Sequence, residues 1–329
     1  MLFLFVLLLS LTGMLKAQVT TAGMSGKVMA DEESVIGATV VAVHEPSGTS
    51  YGTVTNVDGR FSLQGMRSGG PYKVTVSYIG YQTAIYTDIQ LQLGETYSLN
   101  VTLHEASELL GEITITASKS KFSAEKTGAT TNISSEQLTT LPSINRSISD
   151  FTRISPYASG NSFGGRDGRS NTFTVDGANL NNNFGLSSGL PGGGNPISLD
   201  AIDEVQVVIA PYDVRQANFI GAGINAITKS GTNAYRGSAY MYFNNEVMRG
   251  NKIGDTDFGV RAEESKTVYG ATFGGPIIKD KLFFFANVEY EKSPQQVITW
   301  RAAKEGETPN NSTISRTTEA DLAEFSQIL

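Results

Sequence analysis

Two histidines, His44 and His104, are the whole imidazole supply of this 329-residue chain, and it contains no cysteine. Those two facts bound the chemistry. Disulfides, thiolate metal sites, cysteine nucleophiles and a lipid-modified cysteine are excluded. A histidine-rich metal site cannot be assembled, and a serine–histidine–carboxylate triad would have to use one of the two. His44 stands where a strand enters a turn and His104 closes a run of alternating residues, so both are expected as solvated strand-end residues. Gly221, Gly223 and Ala226 satisfy a dinucleotide-binding spacing. That fingerprint needs a strand before it and a helix after it, whereas Ile224 to Lys229 alternates like a strand. Asp58-Gly59 reads as a hairpin turn, because no second carboxylate stands at a calcium-ligand spacing. The formal net charge of -7, without a basic stripe, offers nucleic acid no footprint. None of these residues is read as a catalytic, metal or cofactor site.

The remaining chemistry is that of backbone hydrogen bonds. Gly111-Glu112-Ile113-Thr114-Ile115-Thr116-Ala117-Ser118 is a short alternating segment without an obvious hairpin partner. An unpaired strand is available to extend the sheet edge of another protein.

The elements around it are mainly β. Hydrophobic residues make up 40%, charged residues only 17%, and glycine is abundant at 35 residues. A soluble domain carries about 25% charge. Met1 to Leu9 is wholly apolar and the run continues to Leu15, too short for a bilayer anchor and suited to a signal-peptide core. Cleavage at Ala17 would leave Gln18 first. No positive charge precedes the run, so either the true start lies upstream or the signal is atypical.

Residues 23–104 read as short strands with turn signals between them, beginning at Gly26-Lys27-Val28-Met29. Ala38 to Val43, Lys73 to Tyr78 and Ser98 to Leu103 are strand runs, with turns at Pro46-Ser47-Gly48 and Asp58-Gly59. This spacing predicts a small β-sandwich. Gly37-Ala38-Thr39-Val40, Thr53 to Phe61 and Tyr78-Ile79-Gly80-Tyr81 resemble the carboxypeptidase regulatory-like domain. The resemblance implies a transthyretin-like sandwich without catalysis of its own, common as an N-terminal extension of outer-membrane receptors.

Residues 121–229 change character. Ser134 to Leu138 looks like a helix start with a capping serine, and Asn145 to Phe151 like another short helix. Asn171 to Gly177, Ile202 to Ile209 and Gly223 to Lys229 read as strands, and Asn179 to Asn195 as a long loop. Phe173-Thr174-Val175-Asp176-Gly177 and Ile202-Asp203-Glu204-Val205, with the final Gly223–Lys229 strand, resemble the plug domain of TonB-dependent outer-membrane receptors. Pro211-Tyr212-Asp213-Val214-Arg215 before Gly221 to Asn225 is similar to the Oar-like subgroup. The chain departs from the general family at Ile209-Ala210-Pro211, where arginine-glycine often precedes the proline. Beside this plug, Glu112, Ile113, Thr114, Ile115, Thr116 and Ala117 resemble a TonB box, the peptide through which the energy-transducing protein TonB engages such receptors.

From Ala234 the strands lengthen. Tyr235–Asn244, Lys266–Gly274 and Leu282–Glu291 alternate over about ten residues, the transmembrane barrel signature; soluble strands run nearer five or six. Leu282, Phe284, Ala286, Val288 and Tyr290 are expected to face lipid, opposite Phe283, Phe285, Asn287, Glu289 and Glu291. The long polar loop Asn245–Glu264 is expected outside and the short connection Gly275–Lys281 on the periplasmic side. Three strands cannot close a barrel, so a fragment of a longer protein, or an interrupted gene product, is expected.

The expected fold class is mainly β: a transthyretin-like β-sandwich, an α+β plug domain, and the first strands of an incomplete transmembrane β-barrel. The division expected is signal peptide 1–17, sandwich 18–104, linker with the TonB-box-like strand 105–120, plug 121–229 and barrel start 230–329. The resemblance implies TonB-coupled uptake of a scarce extracellular substrate across the outer membrane, with the N-terminal domain in the periplasm; no bond of the substrate would be broken, so the protein is expected not to be an enzyme. Its partners would be TonB, outer-membrane lipid and an unidentified extracellular substrate. An Oar-like surface or adhesion role without transport is the alternative, and a soluble exported β protein a third.

Overall fold

The structure is a computed structural model that describes residues 19–30, 33–105, 113–116, 129–143, 146–181, 196–211, 216, 219–250, 252–257, 264–294, 300–309 and 314–328. The apolar start, the proposed cleavage site, Tyr212 to Arg215 and most of the Asn179–Asn195 loop fall outside them. The chain divides into two compact units, Met1–Ser238 with Thr272–Val288, and Ala239–Ala271 with Glu289–Leu329.

The first unit opens with ten strands: β1 (Ala22–Ala30), β2 (Glu33–Ser34), β3 (Thr39–His44), β4 (Thr49–Val54), β5 (Arg60–Met66), β6 (Gly69–Ser77), β7 (Ala84–Leu91), β8 (Thr96–Ser98), β9 (Val101–Leu103) and β10 (Ile113–Thr116). β1 centres one sheet, antiparallel to β2 and β5 and parallel to β8 and β9. The other sheet runs β10-β7-β6-β3-β4. Their inner faces meet in one core. Met24 and Val28 come from β1, Phe61 and Leu63 from β5, Val40 and Ala42 from β3, and Tyr72, Val74 and Val76 from β6. Each set lies two residues apart except across β1, as a pleated strand requires.

Three expectations are corrected. The run Ser98 to Leu103 is two strands rather than one. At Leu99 the chain crosses β1 so closely that a Cβ at Gly26 would stand 1.8 Å from the Leu99 carbonyl oxygen. The Leu99 amide donates to the Ser25 carbonyl, and the Asn100 side chain accepts from the Lys27 amide. Asp58-Gly59 is a turn, held by Asn56 Oδ1 accepting from the amides of Asp58 and Arg60, but it is not a hairpin. It carries the chain from β4 in one sheet to β5 in the other. β7 has no counterpart among the expected strands. Its alternation breaks at Asp88 (φ 60°), where an extra residue shifts the register with β6. Ala84 and Tyr86 before the bulge and Ile89 and Leu91 after it all reach the core.

The middle of the chain holds β11 (Ala129–Ser134), α1 (Ser135–Thr140), α2 (Ile148–Thr152), β12 (Ala158–Ser159), β13 (Ser162–Phe163), β14 (Thr172–Val175), β15 (Ala178–Asn179), β16 (Ile202–Ala210) and β17 (Gly223–Thr228). The main sheet runs β11-β16-β17-β14-β15. Ser134 caps α1 through a reciprocal capping box with Gln137. Asp176 (φ 47°) and Gly177 (φ 83°) turn β14 into β15, and the Asp176 carboxylate accepts from the Thr228 amide and hydroxyl. Leu138, Ile148, Phe151 and Phe163 cover one sheet face, packing on Ile133, Val205, Val207, Ile224 and Ala226.

Three long strands follow: β18 (Arg236–Asn245), then, after the two-residue strands β19 (Lys252–Ile253) and β20 (Thr256–Asp257), β21 (Ser265–Ile278) and β22 (Leu282–Lys292). They form a sheet in the order β18-β21-β22. β21 extends through Gly275 and Pro276 to Ile278, so the connection expected at Gly275–Lys281 shortens to Lys279-Asp280-Lys281. Within the first unit this turn lies against Asn233, which exchanges hydrogen bonds with Asp280 and donates its amide to the Pro46 carbonyl of the sandwich. Along β22, Leu282, Ala286, Val288 and Tyr290 are exposed while Phe283, Phe285, Asn287 and Glu289 are half-buried, as expected, but Phe284 is half-buried and Glu291 exposed, so the alternation holds only in the middle of the strand. In the second unit the Tyr240 hydroxyl donates to Glu289 (2.8 Å) and Lys266 pairs with Glu291 (3.0 Å), so polar groups gather on the face opposite the apolar stripe. That unit also holds β23 (Arg301–Ala303) parallel to β24 (Ile314–Thr318), and α3 (Glu319–Ile328), none of which the strand pattern anticipated.

Candidate partner-binding strand and the joint beside it

Ile113, Thr114, Ile115 and Thr116 form β10; Glu112 and Ala117 lie outside the described residues. The segment is not the unpaired strand its sequence suggests. It runs parallel to β7, with Ile113 opposite Ala84, Thr114 opposite Ile85, Ile115 opposite Tyr86 and Thr116 opposite Thr87. Among the described residues β10 is the terminal strand of its sheet. Alternating β-branched residues favour this pleated state. The partner strand was invisible in the sequence because the Asp88 bulge breaks its period.

Just past the other end of β7 lies a second arrangement. Leu93, wholly buried, belongs to neither apolar core; it stands between the sandwich and β16. Its amide donates to both carboxylate oxygens of Glu204, 3.1 Å each. Its carbonyl accepts from Gln206 Nε2 (2.5 Å) and Asn132 Nδ2 (3.4 Å). Gly94 (φ 70°) makes the approach, since a Cβ there would lie 2.7 Å from Gln206 Nε2. Beyond Gln206 the row continues: Asn225 Nδ2 donates to Gln206 Oε1 (3.4 Å) and the Thr174 hydroxyl to Asn225 Oδ1 (2.7 Å). Asn132, Gln206, Asn225 and Thr174 stand opposite one another on β11, β16, β17 and β14. They form one polar file across the sheet. In β16 the alternation sends Val205 and Val207 to the apolar core and Glu204 and Gln206 to this joint.

Burial pushes the Glu204 carboxyl up to about 7, opposed by the Leu93 amide and reinforced by neighbouring Asp203 and Glu95. Burial also raises Asp203, against the pull of Lys229 and Arg67. A buried carboxyl at the seam makes that seam sensitive to protonation. The sequence reading placed Glu204 only as a strand residue. The available signal was a carboxylate and an amide, Glu204 and Gln206, alternating with the valines Val205 and Val207.

The histidine expectation is half corrected. His104 is exposed, but His44 is buried at the end of β3. Its Nδ1 bonds the Ser47 hydroxyl (2.6 Å) and its ring packs on Tyr72 at 5.0 Å. Burial, with help from Arg67, lowers it to about 4, so it is a neutral structural group at physiological pH. Gly223 to Thr228, after the dinucleotide-like glycines, is the strand β17.

Two families match parts of the chain: the carboxypeptidase regulatory-like domain over residues 23–104, and the outer membrane beta barrel domain over residues 227–313. The TonB-dependent transporter Oar of Myxococcus xanthus is 26% identical over 252 residues, covering 71% of this chain and 23% of the relative. The chain thus spans about a quarter of the curated relative it matches. Among solved structures, the siderophore receptor PirA of Acinetobacter baumannii matches at 23% identity and TM-score 0.38, over 50% of this chain and 24% of that one. The Bacillus anthracis TIE protein matches at 19% identity and TM-score 0.23, over 26% and 17%. These structural overlaps are too partial to speak to function. The two domain matches and the curated relative together carry a similarity to Oar-like TonB-dependent receptors of the outer membrane.

Proposed function

We propose that the chain is the periplasmic and membrane-entry part of a receptor that imports a scarce extracellular substrate, driven by TonB. Residues 121–229 act as the plug, and TonB engages Glu112 to Ala117 by strand addition. The observation that carries this reading is the order of parts. A barrel-family segment begins at residue 227, a regulatory-like sandwich ends at residue 104, and a short β-branched strand lies between them. The curated relative that shares this span is named a TonB-dependent transporter, which favours transport over an adhesion role. Strand addition suits the segment because main-chain bonds supply affinity without demanding particular side chains.

The test is a deletion of Glu112 to Ala117 in the full receptor gene, compared with a null strain across media limiting in one nutrient class each. Transport predicts that the deletion grows like the null strain in the limiting medium. Surface attachment lost in the null but retained in the deletion, with no growth difference, would favour adhesion instead.

A further inference from the structure

We infer that the sandwich is an intramolecular competitor for the TonB-box-like strand: β7 and the partner's sheet edge take the same backbone groups of Ile113–Thr116. The inference rests on the reading of that segment given above. Its own support is the register, four consecutive residues of β10 set parallel against Ala84 to Thr87.

β7 is an apt receiver. On its far side it is held by β6, and its core-facing residues Ala84 and Tyr86 anchor it in the sandwich. Without β10 it would be the edge strand among the described residues, with a row of open amides and carbonyls. The connection from β9 spans residues 104–112, so β10 is tethered to its receiver and competes at a high effective concentration. In a parallel ladder alternate residues turn both N–H and C=O toward one neighbour. With β7 in place, half of this short strand's backbone groups are committed. A partner that pairs with the edge of Ile113–Thr116 now facing β7 needs the strand released, and we take that edge as the one the partner reads. Its apparent affinity then falls by the fraction of receptors in which the strand is free. The sandwich thereby sets how readily the receptor answers TonB.

Residues 1–329 hold no native cysteine, so Thr87→Cys with Thr116→Cys introduces the sole thiol pair of this segment, at positions directly opposite in the ladder. Thr87 is only half-buried, which limits damage to the core. In the full receptor, binding of the TonB C-terminal domain is measured by fluorescence anisotropy with the pair oxidised and then reduced. A free peptide of residues 108–120 is measured alongside. Competition predicts an efficient disulfide, affinity lowered more than about tenfold when it is closed, recovery on reduction, and a free peptide that binds at least as tightly as the reduced receptor. Equal binding in the oxidised and reduced states would overturn the inference, because the partner would then be adding to the outer edge of β10. Cross-linking no better than that of the out-of-register pair Thr87→Cys with Thr114→Cys would overturn it too, by removing the docked strand. If the disulfide closes but neither peptide nor reduced receptor binds, the TonB reading of the segment fails, and competition for TonB with it.

Discussion

Glu204 holds its carboxyl where two bodies of the chain meet, and the consequence follows from the direction of its shift. Its pKa is about 7 in the joint against an ordinary 4.5. The docked state therefore binds the proton more tightly. Docking is fully favoured below pH 4.5, weakens as pH rises through the window to about 7, and above that bears the whole cost, about 3 kcal/mol for this shift. Asp203 and Glu95 add to that cost, while Lys229 and Arg67 hold Asp203 down. Protection of the Leu93 amide, corrected for intrinsic exchange, should fall across that window in the native receptor. It should be flat in Glu204→Gln, which keeps an acceptor without the charge. A second prediction concerns Ile113 and Ile115. Proline at either should weaken binding of the 108–120 peptide to the TonB C-terminal domain by about tenfold, since it deletes a backbone donor. Serine at Thr114 or Thr116 should change it little. Equal losses in all four, measured by calorimetry, would mean that side chains rather than backbone are being read.

At the scale of the element, period-two alternation carried most of the reading, and its failures have physical causes. β3, β6, β16 and β17 were legible because each turns alternate residues into a core, and β22 because apolar and polar residues alternate through its middle. β7 was not, because the left-handed Asp88 inserts a residue and both halves then point inward. Missing β7 meant missing the partner of β10, and a docked strand read as a free one. The split at Leu99-Asn100 was illegible for a different reason, a close crossing over Gly26 that only the fold reveals. β23, β24 and α3 carried no signal long or regular enough to stand out. Along β22 the alternation has a measurable consequence. Lysine at Ala286 or Val288, on the exposed apolar face, should cost about 2–4 kcal/mol in the bilayer, while Asn287 and Glu289 should accept it at small cost. Heat-modifiable gel migration of the full receptor reads the folded fraction. Loss at Asn287 and Glu289 with tolerance at Ala286 and Val288 would shift the register by one residue.

For the whole molecule, one strand joins two events. β7 receives β10 along Ala84 to Thr87, and the loop just past Leu91 enters the joint at Glu204 and Gln206. A pull that peels β10 from the sandwich acts on the strand whose other end meets the sheet proposed as the plug. On the proposed function, that continuity would give the sandwich a part in coupling beyond serving as a tether. It depends on TonB reaching Glu112 to Ala117 in the living cell. The direct measurement places a photo-cross-linking residue at Thr114 of the full receptor and identifies its adducts in cells with and without TonB. The predicted result is an adduct to the TonB C-terminal domain alongside one to the sandwich around Ile85, with the TonB adduct lost in the strain lacking TonB. Adducts confined to the sandwich in both strains would contradict it.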